Sequence, residues 1–126
     1  MIGNDKAHAK VTSPKAEVFD LAGTLRRLGG DTNLLSDLVQ LYYEDSPGLL
    51  ERLQAGIEAH RSDEVRHAAH SLRGLAANFG ASILTQSLLR LEEAAAEGRM
   101  EEASSLLDQV GQDSARLQAT LTLHRR

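Results

Sequence analysis

The chain has 126 residues and a formal net charge of −4 with its histidines neutral, enough for one domain with its own core and too little for two. The negative charge argues against a nucleic-acid-binding protein, and the absence of cysteine excludes disulfide bonds and thiolate chemistry. No apolar run approaches the ~18 residues of a membrane span, and the N-terminal stretch lacks the apolar centre of a signal peptide. We therefore expect a soluble, cytoplasmic protein that binds neither nucleic acid nor membranes.

The beginning of the chain predicts a flexible segment followed by a short helix. Residues 1–16 mix Gly, Asn, Lys, Ser and Pro without periodicity, which is typical of a flexible lead or linker, so the domain is expected over residues 17–126. The first helix ends at Gly29-Gly30. Its apolar positions are Phe19, Leu21, Leu25 and Leu28.

The second helix is predicted from about residue 32 to residue 60, with Asp31 as its N-cap. Pro47 should kink or briefly break it, because proline lacks the backbone N–H that continues a helix. The apolar positions before the proline are Leu34, Leu35, Leu38, Leu41 and Tyr42, and those after it are Leu49, Leu50, Leu53 and Ile57.

Three further helices follow. The third should begin with Ser62 as its cap, reach about Asn78 and stop at Gly80; the fourth should begin with Ser82 as its cap and end at Gly98. The last begins near Met100 and has a weak point at Gly111. Aromatic residues make up only 3% of the chain, which favours helices over strands. Four long helices joined by short loops predict an all-α fold, an antiparallel up-down four-helix bundle with a short additional N-terminal helix.

The third helix carries the residues with the clearest functional pattern. At about 100° per residue, its apolar residues gather on one side and His70 points away from them, with Arg66 one turn before it and Arg73 one turn after it. Gly74 leaves bare backbone beside the ring. Because glycine inside a helix costs roughly 1 kcal/mol relative to alanine, it suggests that a large partner approaches closely here. His67 and Ala77 lie on the same exposed face as these residues.

Glu92 is predicted to face His70 from the fourth helix. Residues equally far from a short turn lie at the same height on antiparallel helices, and His70 lies eleven residues before Ala81 while Glu92 lies eleven after it. Glu93 points into water. A carboxylate that accepts a hydrogen bond from Nδ1–H fixes the ring tautomer and leaves the Nε2 lone pair outward as a nucleophile. Arg73, one turn away, can neutralise the charge of an anionic group that this nitrogen meets.

These residues resemble those of histidine-containing phosphotransfer (HPt) domains. The pattern is a histidine, a basic residue at +3, a glycine at +4 and a second glycine at +10, in Ala69-His70-Ser71-Leu72-Arg73-Gly74 and Phe79-Gly80-Ala81. The likeness begins upstream at Phe19-Asp20-Leu21 and extends to Leu91-Glu92. This chain has arginine at +3, where lysine is commoner, and arginine keeps the charge.

The resemblance implies a phosphorelay function. His70 would accept a phosphoryl group, Arg73 would stabilise its charge and Glu92 would orient the imidazole, while Arg66, His67, Gly74 and Ala77 would form the partner-binding surface. The partners would be response-regulator receiver domains or a hybrid histidine kinase, of which this chain could itself be a fragment. The domain would need no cofactor of its own, since the receiver supplies Mg²⁺. Without ATP-binding motifs it would have no kinase activity.

Two other functions remain open from the residues alone. One is a metal-binding helical bundle that uses His67 and His70 with Asp63 or Glu92, although bundles of this kind need more converging ligands. The other is a helical protein-docking module in which His70 has no chemical role.

Overall fold

A computed structural model describes residues 16–125, which form five α-helices and one 3₁₀ turn, with no strand among them. The helices are α1 Leu21–Arg27, α2 Thr32–Glu58, α3 Ser62–Ala77, α4 Ser82–Ala96 and α5 Met100–Leu121, and the 3₁₀ turn is Thr122–His124. The all-α prediction is confirmed. The predicted flexible segment, residues 1–16, lies outside the described residues except for Ala16. No described helix is long and apolar enough to cross a membrane.

The four long helices share one core. Helix α3 packs between α2 and α4, and α5 packs against both α4 and α2, so that contacts join the four helices in a ring. The largest fully buried side chains are Tyr42, Phe79, Leu53, Leu72, Leu84, Leu88, Leu91, Leu117 and Leu121. The core is therefore mainly leucine and alanine around two aromatic rings, which pack edge to face with their centroids 5.9 Å apart.

The turn between α3 and α4 is where α1 attaches. The backbone N–H of Asp20 donates to the carbonyl of Phe79 at 2.9 Å, and the Arg27 side chain donates to the carbonyl of Asn78 at 3.2 Å. Gly80 lies in the left-handed region with φ +57°, and a Cβ placed there would come within 2.8 Å of the Asp20 Cβ. Glycine is needed here for its conformation and for this close approach.

Two of the predicted helix caps are wrong and one is confirmed. Asp31 caps α2, accepting a hydrogen bond from Leu34 N–H at 3.0 Å. Ser62 and Ser82 are instead the first residues of their helices, and neither helix has a side-chain cap. The Ser62 hydroxyl donates to the carbonyl of Ala95, and the Ser82 hydroxyl accepts from Glu17 N–H at 2.8 Å. Each hydroxyl therefore bonds a backbone group of a neighbouring segment and ties that segment to the start of the helix.

Helix α2 continues through Pro47 as the single helix that was predicted, and of the two effects expected of the proline, a kink or a brief break, the break is absent. The proline cannot donate to the carbonyl one turn earlier, yet the helix continues because its buried face is continuous on both sides of it. That face passes through Leu35, Val39 and Tyr42, whereas the leucines predicted beside them, Leu34 and Leu41, are 40% and 38% exposed. The apolar stripe of the sequence is wider than the face that the neighbouring helices cover, so its edge remains in water. Helix α5 likewise continues through Gly111.

Polar side chains occupy part of the core of α5. Asp113 and Ser114 are buried on the same face as Val110 and Leu117. The Asp113 carboxylate accepts hydrogen bonds from the Ser87 hydroxyl at 2.7 Å and from the Gln109 amide at 2.9 Å. Because the buried carboxylate of Asp113 has these partners, the cost of removing it from water is offset.

Tyr42 forms the second buried polar contact, with its hydroxyl 2.7 Å from that of Ser114. Tyr42→Phe should therefore lower the free energy of unfolding by about 1–2 kcal/mol, because Ser114 is left unpaired in the core. Burial raises the pKa of Tyr42, and the hydrogen bond from Ser114 opposes this more weakly. Above about pH 10, the pKa of tyrosine in an unfolded chain, Tyr42 ionises more readily in the unfolded parent than in the folded parent. The difference in free energy of unfolding between the parent and Tyr42→Phe should therefore narrow at high pH.

Ser46 provides the control, because its buried hydroxyl has no hydrogen-bond partner among the described residues. Ser46→Ala should leave stability unchanged or raise it. Urea unfolding of the parent and both variants, near neutral pH and above pH 10, measures these effects. Equal losses from the two substitutions would contradict the assignment of the hydrogen bond.

Candidate functional site

His70 projects from the middle of α3, and its side chain is 70% exposed. Its neighbours Ala69 and Leu72 are fully buried against the other helices. Close packing on that side holds the helix backbone in place while the imidazole stands in solvent. The chain thus presents a polar ring from a rigid support, as the helical periodicity predicts.

Glu92 reaches the His70 ring from α4, which places the two residues at the same height as predicted. Its side chain is 23% exposed, with Oε2 at 3.6 Å from His70 Nδ1. Glu93, the next residue, is exposed. The distance of 3.6 Å suits an ion pair and is longer than a hydrogen bond, so the direct Nδ1–H bond to Glu92 that the sequence predicts is not formed in this structure.

Arg73 is the side chain that contacts both His70 and Glu92. Its Nη2 lies 3.0 Å from Glu92 Oε1 and 3.2 Å from His70 Nδ1, and its Nε also donates to Oε1 at 3.2 Å. The sequence assigned Arg73 and Glu92 separate roles and missed this pairing. The predicted alignment of the two helices was sufficient to indicate it. Arg73 is three residues from the position opposite Glu92, about 4.5 Å along the helix, which an arginine side chain spans.

The remaining predicted site residues lie on the same exposed side of α3. Arg66 is paired with Asp63 at 3.0 Å. An open groove of about 450 Å³ adjoins the imidazole; it is lined by Asp63, Arg66, His67, His70 and Glu92. Gly74 and Ala77 are exposed further along the helix, and a Cβ placed at Gly74 would meet nothing within 4 Å. The bare backbone predicted beside the ring is present.

A second open groove, between α2 and α3, lies beside this surface. It measures about 490 Å³ and is lined by Glu44, Asp45, Gly48, Leu49, Arg52, Ser71 and Leu75. Its acidic rim is on α2, whereas the basic side chains nearest His70 are on α3. The surface around the histidine therefore contains charged side chains of both signs, among them Arg52 in the α2 groove.

The predicted alternative of a metal site receives no support from this geometry. Among residues 16–125, no three histidine or carboxylate side chains come close enough together to hold a metal ion. His67 and His70 share the groove with two carboxylates, but Asp63 is paired with Arg66 and Glu92 with Arg73.

An all-helical domain that exposes a histidine from a rigid helix, with a carboxylate of the next helix behind the ring, has the features of a histidine-presenting signalling module. The chain belongs to the Hpt domain family, whose model matches residues 37–122. The fold is similar to that of histidine-containing phosphotransfer protein B (HptB) from Pseudomonas aeruginosa PAO1, with a TM-score of 0.80 and 26% identity. That match covers 88% of this chain and 96% of the other. No curated protein sequence matches the chain.

These comparisons confirm the family resemblance drawn from the sequence. The chain functions in histidine phosphotransfer within a two-component phosphorelay. As an Hpt protein it is a phosphotransfer intermediate, and Hpt domains interact with the receiver domains of phosphorelay proteins.

Open space at Gly74 predicts that a side chain there stabilises the helix. Gly74→Ala should raise the free energy of unfolding by about 1 kcal/mol, because alanine loses less conformational entropy in a helix. Gly56 is the matched control, since it is a buried helical glycine whose Cβ would come within 2.8 Å of Val65 Cγ2. Gly56→Ala should therefore lower stability. Thermal unfolding followed by circular dichroism measures the stability of both variants. A loss of stability in Gly74→Ala would contradict the open space beside Gly74.

Proposed function

We propose that His70 is the phosphoacceptor of this relay and that Nε2 is its nucleophilic nitrogen. The orientation of the ring carries the proposal. Nδ1 faces Arg73 and Glu92, whereas Nε2 has no hydrogen-bond partner among the described residues. With the side chain 70% exposed, Nε2 is the ring nitrogen that a partner can approach.

The reaction is an in-line phosphoryl transfer. The Nε2 lone pair attacks the phosphorus of an aspartyl phosphate on a receiver domain; the N–P bond forms, the P–O bond to the aspartate breaks and the carboxylate leaves. Transfer to a second receiver aspartate reverses these bond changes. Nε2 can attack only when its lone pair is free, so in the reactive neutral ring the proton is on Nδ1.

Glu92 is proposed to act at Nδ1 of the imidazole, and Arg73 at the phosphoryl group that Nε2 attacks. Glu92 Oε2, 3.6 Å from Nδ1, would accept the Nδ1–H hydrogen bond after a small movement and so orient the ring. Arg73 would place a positive charge beside the transferring phosphoryl group, whose oxygens carry the charge of the transition state.

The partner surface is proposed to include Arg66, His67, Gly74 and Ala77, which are all exposed on α3. The partner would be a response-regulator receiver or the receiver of a hybrid histidine kinase. It would bring the Mg²⁺, because the described residues have no group of carboxylates suited to the ion. We further propose that the domain works in the cytoplasm and has no autokinase activity.

The bundle that supports this site is proposed to be antiparallel and up-down. Side-chain contacts support this arrangement. Ser62, at the start of α3, bonds Ala95 near the end of α4, whereas the later residue Arg73 bonds the earlier residue Glu92. Ser36 of α2 likewise bonds His124 beyond the end of α5. Helix α1 would lie across the end of the bundle where it contacts Phe79.

His70→Gln should abolish phosphoryl acceptance and leave the fold intact, because the exposed side chain contributes little to packing. The control is His67→Gln, which alters a neighbouring exposed histidine of the proposed partner surface; it should still accept the phosphoryl group, at a rate lowered only as far as docking is weakened. Incubation with phosphorylated receivers, followed by assay for acid-labile and base-stable phosphate on the domain, measures acceptance.

Circular dichroism checks the fold of each variant. Full transfer by His70→Gln would refute the assignment and leave the docking-module function. Stoichiometric zinc binding that either single variant loses would favour the metal function instead.

Gly74→Gln should slow transfer without loss of stability, because a long side chain would occupy space that the receiver must enter. The matched control is Gly111→Gln, which also adds a side chain at a helical glycine with open space. Gly111 borders the groove between α2 and α5, away from His70, so its variant should transfer at the parental rate. Equal rates in all three proteins would place Gly74 outside the docking surface.

A further inference from the structure

Nδ1 of His70 has two neighbours that require opposite positions of the ring proton. Arg73 Nη2, at 3.2 Å, belongs to a guanidinium group that only donates hydrogen bonds, so this contact needs an unprotonated Nδ1. Glu92 Oε2, at 3.6 Å, only accepts and needs Nδ1–H. The shorter contact is the one to Arg73. It favours the neutral ring with its proton on Nε2, the nitrogen that is proposed to react.

We propose that Arg73 is a positioning residue that holds the resting imidazole in its unreactive Nε2–H form. When Arg73 moves away toward a phosphoryl group, Nδ1 becomes protonated and donates a hydrogen bond to Glu92. This inference rests on the proposed function of His70 and adds a resting state to it. The arginine thus has two positions, one against the ring and one against the phosphoryl oxygens.

The resting position of Arg73 is held by Glu92 itself. Nε and Nη2 both donate to Oε1, at 3.2 and 3.0 Å, and the two side chains are 31% and 23% exposed. Partial exclusion from water makes such a pair stronger than one on the open surface. Oε1 is thereby occupied, while Oε2 remains directed at Nδ1 without a hydrogen bond.

A phosphoryl group provides the competing charge that releases the arginine. Its oxygens bind a guanidinium fork as well as a carboxylate does. When Arg73 turns toward them, Nδ1 loses its donor, and Oε2 needs to move only from 3.6 Å to hydrogen-bond distance. Nδ1 then takes a proton from water while Nε2 releases one to water, which is possible because the ring is exposed. The net number of protons is unchanged, and the Nε2 lone pair becomes free.

The test is the tautomer of His70 in the isolated protein, read from the ¹⁵N chemical shifts of its two ring nitrogens by NMR. Spectra are recorded over a series of increasing pH, and the tautomer is read where the ¹⁵N shifts no longer change with pH, so that the ring is neutral. His67 is an internal reference, because no described residue hydrogen-bonds its ring. Arg73→Met removes the donors and keeps the aliphatic stem, and Arg73→Ala provides a second variant if packing changes.

Arg66→Met is the matched control, since Arg66 is equally basic and lies one turn from His70 but pairs with Asp63. In the parent, we expect His70 to hold more of the Nε2–H tautomer than His67 does. Arg73→Met should move His70 past His67 toward Nδ1–H, and Arg66→Met should leave it unchanged. Adding Glu92→Ala to Arg73→Met should remove the excess of Nδ1–H. A purely structural role for Arg73 would not produce this sequence of shifts.

The proposal is overturned if His70 and His67 have the same tautomer ratio in the parent, if Arg73→Met leaves His70 unchanged, or if Arg66→Met shifts it equally. No phosphodonor is present, so these results do not depend on transfer. Phosphoryl uptake by the parent is assayed separately. Failure of uptake with the expected NMR pattern would count against the proposed function alone. Uptake without that pattern would count only against the proposal that Arg73 holds the resting tautomer.

Discussion

The alignment of α3 with α4 is the constraint on which the site depends. It is fixed at one end by the turn through Gly80, with φ +57°, and at the other by the bond between Ser62 and the carbonyl of Ala95. Fully buried alanines on both helices, including Ala69 and Ala94, allow the close approach between these ends. A shift of one helical turn, about 5.4 Å, would remove Glu92 from both His70 and Arg73.

The helix backbone and the charged side chains contribute differently to the site. The packed helices decide where the imidazole stands, but the charges around it are arranged by exchangeable side-chain contacts. Arg73 and Glu92 neutralise each other at 3.0 Å, so the unphosphorylated site presents less positive charge than its sequence implies. An approaching anion would recover that charge only by breaking the pair. The site can thus respond to the group that it is proposed to carry without any movement of the helices.

Stability and function occupy separate parts of the molecule. The core contacts that specify the bundle, such as Tyr42 with Ser114 and Ser87 with Asp113, join α2, α4 and α5. His70 and Gly74 lie on the opposite side of α3 from its buried face and contribute little to packing. Substitutions at the exposed surface can therefore alter transfer without unfolding the protein, which allows the chemistry to be tested by mutation.

The sequence by itself determined the five helices, the exposure of His70 and the proximity of Glu92, because helical periodicity and the symmetry of a short turn depend only on local geometry. The tertiary structure alone decided the rest. Ser62 bonds another helix instead of capping its own, Leu34 stays in water, and Arg73 takes the place beside Nδ1 that the sequence gives to Glu92. Each of these outcomes depends on the distances between neighbouring helices. The periodicity within one helix contains no information about those distances.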